Sequence, residues 1–385
     1  MGLNYLQNNP GKDPWNRGTW HLRRNRNKLG ITLNLNTPEG KNIFLNLVKI
    51  GDIVVENFRV GALERLGIGY SELKMVNPKI ILMSLSSQGD TGPERGYGSN
   101  AEVLEFVSGI RSLIGYPDEV SGFMATTLAD PMAGTIAAGF VMAALRYREH
   151  TGKGTHVVIS QRELLTSVIG EEIMDYMMNK RVSQPRGNSH PTFAPHGCYP
   201  CQGRDSWITL VIRDDQEWQS LCQLMGQPEL AADLRYADGL SRWRHRDEID
   251  RTISQWTVRY NRKDLMQLLQ EKGIAAGAVY QPPDLIEDEH LRSRGFWDTV
   301  DDPRPGYGTY TVHGRGFYLS RTPVKTRFRA PDLGEHNHYV YSKILGMSQE
   351  EIKELERKAI IGTSPVPEVQ ATIPAIRARR QAEER

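Results

Sequence analysis

The sequence is poor in cysteine, in long apolar runs and in net charge, and each shortage excludes something. Three cysteines in 385 residues cannot build a disulfide scaffold, and they point to a reducing, cytoplasmic setting. The longest apolar run, residues 132–145, is too short to span a bilayer. The N-terminal residues are polar and lack the apolar core of a secretory signal. Net charge is +2, so no bulk attraction to nucleic acid or to a membrane surface is expected. The serine nucleophile elbow, the zinc-binding H-E-x-x-H and the G-x-G-x-x-G fingerprint are all missing. What remains is 39% hydrophobic and 24% charged, ordinary for a globular protein and long enough for two domains.

Strands and helices alternate early in the chain. Residues 37–50 read as a helix, with Thr37 as N-cap and Pro38 in the first turn. A buried strand follows at 52–56, ending at Asn57 and Phe58. Short helices are expected at 61–66 and 71–76, and a third strand at 79–86 after one at 31–35. This alternation predicts a parallel sheet, where ligands bind beyond the strand C-termini. Position alone therefore makes Asn57, Phe58 and residues 84–88 candidates. Further helices are expected at 101–114, 161–178 and 215–225. Strands are expected at 155–160, 207–212 and 275–280, a hairpin over 306–319, and irregular chain over 181–205. The predicted class is α/β, an open parallel-sheet, Rossmann-like large domain over 1–195 and 325–370. A smaller α+β domain is expected over 206–320 and a tail over 371–385.

One stretch, residues 128–160, carries the sharpest chemistry. Asp130 precedes Pro131, which suits the first turn of a helix. Asp130 then reads as the N-cap. Small apolar residues on every side of the helix predict that it is buried all round. Two roles for Asp130 compete. One is a capping carboxylate, worth about 1 kcal/mol. The other is a nucleophile, because a helix N-terminus favours an ionised carboxylate and such a group can attack an activated acyl carbon. The local residues leave both open.

Three other motifs carry less. The run TGKGT at 151–155 lacks the spacing of a phosphate loop and ends a helix instead of starting one, so it reads as a helix stop. Cys198 and Cys201 form a C-x-x-C with no second pair, which points to ordinary structural cysteines and to no metal site. The basic stretch 15–28, with Trp15 and Trp20, suits a solvated loop or the phosphates of a nucleotide-like ligand better than nucleic acid.

Several segments, taken in order, resemble one family. They are NRNKLGITL at 25–33, DIVVENF at 52–58, GALERLG at 61–67, and Asn77-Pro78. The Asp130 stretch with TGKG at 151–154 follows, then GNSHPTFAP at 187–195, GIAAG at 273–277 and LGEHN at 333–337. Each is weak alone, but their order is that of the family III CoA-transferases, which include formyl-CoA transferase and carnitine CoA-transferase.

The resemblance implies a CoA-transferase that uses acyl-CoA and a carboxylic acid as substrates and holds no permanent cofactor. It implies that Asp130 forms a mixed anhydride and then a thioester with CoA. It assigns Asn57, Phe58, Arg65 and Leu66 to the CoA site, with Arg26 and Lys28 from the basic stretch. Asn188, His190 and Pro195 fall where a substrate loop is expected. It also implies an interlocked homodimer. The chain departs from the family by lacking about forty residues at its start, so a heteromer with a related subunit, or a non-catalytic partner role, is an alternative. A second alternative is a 2-methylacyl-CoA racemase. That branch needs a histidine about thirty residues before the aspartate as a second base. Residues 95–105 contain no histidine, and Asn100 stands near the matching place.

Overall fold

A computed structural model describes residues 4–117 and 127–366. The expected tail at 371–385 lies outside the described residues. Among the described residues, eight strands form three sheets. The strands β1 (Ile53–Glu56), β2 (Ile81–Ser86) and β3 (His156–Ser160) make one sheet, in the order β1-β2-β3. The strands β4 (His196–Pro200), β5 (Trp207–Val211) and β6 (Ala275–Ala278) make a second. The pair β7 (Trp297–Asp302) and β8 (Gly308–His313) makes a third.

The chain groups into two compact units. Of the described residues, the first holds 4–96, 135–159 and 288–366; the second holds 97–117, 127–134 and 160–287. Residues 97–134 and 160–195 go with the middle of the chain, and 288–320 with its ends. One division falls inside the helix Ala129–Thr151.

In the first unit, β1 and β2 are parallel, with Ile53 opposite Ile81 and Glu56 opposite Ser84. The central strand β2 is almost wholly buried, which explains its unbroken apolar run. Val48, Leu63, Ile68, Leu73 and Leu82 pack into one cluster there. Helix Pro38–Ile50 starts as expected, with Thr37 Oγ1 accepting from Gly40 N–H at 3.1 Å. The strand expected at 31–35 is absent. Its backbone groups are met elsewhere: Thr32 N–H donates to Asn337 Oδ1 and Asn34 N–H to the Ile360 carbonyl. The predicted hairpin is displaced toward the N-terminus, since β7 pairs antiparallel with β8 and residues 314–319 form no strand.

In the second unit, β5 alternates exposed and buried residues, as a sheet covered on one face does. Its inner face packs against Trp218, Leu221, Ile253, Trp256, Leu265 and Leu269 from three helices. The stretch expected to be irregular holds β4, which pairs antiparallel with β5. The helix expected at 161–178 is two, Gln161–Val168 and Gly170–Asn179, and that expected at 101–114 is Ala101–Val107 followed by a short 3-10 turn.

The helix Ala129–Thr151 has 23 residues and ends where the TGKGT reading placed its stop. It is not buried all round. Ala129, Ala133, Ala137 and Ala144 form its buried stripe, while Phe140 and Met142 are exposed. Small residues permit close packing but do not themselves supply a neighbour on every side.

Candidate active site

In the first unit a pocket of about 420 Å³ opens at the C-terminal ends of β1 and β2. Parallel sheets place ligands there because the loops diverge beyond the strand ends. Phe58 and Arg65, both named from sequence, line it, as do Ser84 and Ser86 from the positional candidates. The turn that carries them is built by Gly61, whose φ of +78° suits glycine. Phe58 N–H donates to Glu56 Oε2 at 2.7 Å, which fixes the chain as it leaves β1. Arg59, Arg95, Asp90 and His156 also line the pocket and were not anticipated. Nothing local marks them. His156 arrives from a strand 72 residues beyond Ser84 and shares a hydrogen bond with Ser84 Oγ at 2.9 Å. Its ring stacks on Tyr70 at 5.3 Å. Burial pushes the His156 pKa down, against the opposing pull of Asp90, Glu64 and Glu56.

Not every named residue reaches this pocket. Leu66 packs into the apolar cluster beside it. Asn57 lies next to Phe58 but is not among the lining residues. Arg26 is engaged within the first unit: it donates to Arg23 O, Thr326 Oγ1 and His313 O, and pairs with Asp298 at 3.7 Å. Lys28 is exposed and donates to Asn25 Oδ1 at 3.1 Å.

Asp130 belongs to the second unit. Its helix begins at Ala129, so Asp130 is the second helical residue and not the N-cap. Leu128 takes the cap position, its carbonyl accepting the first intrahelical bond from Met132 N–H at 3.0 Å. Proline misled the sequence reading, because any first-turn position tolerates it, the N–H there having no partner to lose. Asp130 is exposed and sits in the turn where the helix dipole favours negative charge. Immediately before it, Leu128 N–H donates to Glu105 Oε1 at 2.6 Å. Glu105 is wholly buried and pairs with Arg111, whose Nε and Nη2 donate to Oε2 at 2.9 and 2.6 Å.

The three substrate-loop candidates also lie in the second unit. Asn188 Nδ2 donates to Tyr116 Oη at 3.0 Å. His190 stacks on Phe193 at 4.7 Å and its Nδ1 accepts from Thr192 N–H at 3.2 Å. Pro195 is buried next to β4. Burial raises all three thiols: Cys198 upward, Cys201 to about 11 and Cys222 to about 12. That direction disfavours the thiolate form. Among the described residues no group of His, Cys, Asp and Glu is placed to hold a metal ion, and no helix is long and apolar enough to cross a membrane.

Known proteins are similar to this chain in sequence and in fold. A protein from Chloroflexus aurantiacus named succinyl-CoA–D-citramalate CoA-transferase is 33% identical over 90% of this chain and 85% of its own. From the same organism, the succinyl-CoA–L-malate CoA-transferase beta subunit is 33% identical over 89% and 84%. The crystal structure of a CaiB/BaiF family protein from Brucella suis superposes with a TM-score of 0.79 at 27% identity, covering 85% of this chain and 84% of that one. The family model described as CoA-transferase family III matches residues 6–337. With that much of its length matched, this chain belongs to CoA-transferase family III.

Proposed function

We propose that this chain moves CoA from an acyl-CoA thioester to a free carboxylate, with Asp130 as the covalent nucleophile. The observation that carries the reading is the exposed Asp130 carboxylate in the first turn of a 23-residue helix. In the proposed cycle an Asp130 oxygen attacks the thioester carbonyl carbon. The C–S bond breaks, CoA thiolate leaves, and an aspartyl anhydride forms. The thiolate then attacks the Asp130 carbonyl and releases the donor acid as its carboxylate. The acceptor carboxylate attacks the resulting aspartyl thioester, forming a second anhydride and freeing the thiolate again. Thiolate attack on the acceptor's acyl carbon gives the product thioester and restores Asp130. No net proton is consumed, and the helix N-terminus favours the carboxylate charge between steps.

Phe58 and Arg65 are proposed to hold CoA, with Asn57 and Leu66 shaping their turn. A flat ring and a cation suit an adenine and a phosphate. Arg26 and Lys28 are proposed as outlying phosphate contacts. Asn188, His190 and Pro195 are proposed to shape the acyl and acceptor site. The names of the relatives make succinyl-CoA the first donor to try and a small dicarboxylate the first acceptor. A cytoplasmic homodimer is the proposed assembly, with the functional domains at 1–195 plus 325–370 and at 206–320. One specific observation favours a second assembly: relatives are named as alpha and beta subunits of one transferase.

The test measures CoA exchange between succinyl-CoA and malate, citramalate or glutarate, using the purified chain alone and with any co-purifying subunit. Exchange by the chain alone supports the homomeric reading; exchange only with a partner supports the heteromer. No exchange with either, across a panel of acyl-CoA donors and acids, refutes the transferase reading.

A further inference from the structure

Leu128 supplies the first accepting carbonyl of the Asp130 helix but has no side-chain oxygen with which to cap it. Its own N–H is met by an acid from another helix, Glu105 on Ala101–Val107. A capping box does the same with a glutamate from the helix's own first turn. Glu105 is 0% exposed and Arg111 only 2%. A buried ion pair does not justify itself energetically, because apolar residues of similar volume often serve as well or better. Here the pair has a use that apolar residues lack. Arg111 occupies Oε2 and leaves Oε1 aimed at Leu128 N–H. It also cancels the Glu105 charge, so the helix start gains an acceptor without a second negative charge. Leu104, Ala129 and Leu165 pack around the same point, so backbone and side chains hold it together.

We propose that Glu105, oriented by Arg111, is a positioning residue for Asp130: it fixes the backbone two residues before the nucleophile and so the direction of its carboxylate. This rests on Asp130 being the nucleophile. A misplacement of about 1 Å can cost about 10²-fold in rate, so an anchor at this point acts on turnover more than on affinity.

The test compares two double variants of the full chain. E105M/R111M removes the charges and the acceptor together. E105Q/R111M removes the charges but keeps an amide oxygen for Leu128. Hydroxylamine capture of acylated Asp130 at saturating succinyl-CoA is expected to slow about tenfold or more in E105M/R111M, with KM within about twofold. E105Q/R111M is expected to return to within about threefold of wild type. Amide exchange over residues 127–134, read without substrate, should quicken in the first variant and not in the second. Unchanged exchange in E105M/R111M overturns the anchor, whatever Asp130 does. Faster exchange with wild-type capture overturns the positioning role and leaves the nucleophile standing. A wild-type chain that turns over without any Asp130 adduct overturns both. If E105M/R111M does not fold, Leu128→Pro deletes the N–H and leaves the ion pair in place. The same loss of capture rate is expected there, and wild-type capture refutes the positioning role.

Discussion

Replacing Asp130 separates its two possible roles, because chemistry and stability respond differently. Asp130→Asn keeps the shape and removes the charge; Asp130→Ala removes both. Neither side chain is a nucleophile, so both should lower CoA exchange by at least about 10³-fold, or about 4 kcal/mol of barrier. Stability follows from the position of Asp130 as second residue of its helix. A first-turn carboxylate contributes about 0.3–1 kcal/mol through the helix dipole. Asn forfeits that amount. Ala forfeits it too, but recovers up to about 0.7 kcal/mol in helix propensity. Ala should therefore be as stable as Asn or more so. An N-cap predicts the reverse ranking, with Asn neutral and Ala losing about 0.5–2 kcal/mol. The assay is exchange of CoA from succinyl-CoA, with melting followed by circular dichroism. Hydroxylamine added during turnover should convert Asp130 to a hydroxamate, seen as a mass shift on its peptide. Near wild-type turnover by Asp130→Asn, or a turnover-competent wild type without the adduct, would refute the mechanism.

Four further outcomes are expected. Phe58→Ala and Arg65→Met should each raise KM for acyl-CoA about tenfold while leaving stability within about 0.5 kcal/mol, since both side chains are exposed; unchanged KM in both would place CoA elsewhere. Burial lowers the folded pKa of His156 below its unfolded value of about 6.5, so the unfolded chain binds the proton more readily. Its stabilising contribution is whole above about pH 6.5 and declines as pH falls toward the folded pKa; His156→Asn should flatten that decline in urea melts, and an unaltered pH profile would count against it. Gly154→Ala should cost about 3 kcal/mol or more, because an added Cβ would lie 1.9 Å from the Ile80 carbonyl oxygen; a stable variant would contradict that approach. Finally, a 2-methylacyl-CoA incubated in heavy water should keep its α-proton, and rapid Asp130-dependent deuteration would favour the racemase.

Much of the architecture was legible where one local signal decided it. Thr37-Pro38 marked a helix start, and the apolar run of β2 marked a central strand. The failures share a cause, which is that backbone pairing depends on distant partners. Residues 31–35 have the pattern of a strand, yet their N–H groups go to Asn337 and Ile360, some three hundred residues on. The stretch around Cys198 is full of turn-forming residues, yet it finds an edge beside β5 and becomes a strand.

The candidate site shows the same division more sharply. The first-turn place of Asp130 was legible because a carboxylate beside proline at a helix start is a local pattern, although proline marks a first turn and not a first residue. Phe58 and Arg65 were legible because position after a strand end, together with family resemblance, points to a ligand. Glu105 and Arg111 were not. A glutamate inside a short helix and an arginine six residues later read as surface charges, and nothing nearby says that both are buried. Only the fold reveals that one carboxylate oxygen is committed to Arg111 and the other to Leu128 N–H. A charge pair of this kind adds little stability in itself, but it holds the start of the Asp130 helix. Groups that carry chemistry tend to announce themselves locally. Groups that aim them are recruited from wherever the chain happens to pass, and their sequence context was free to look ordinary.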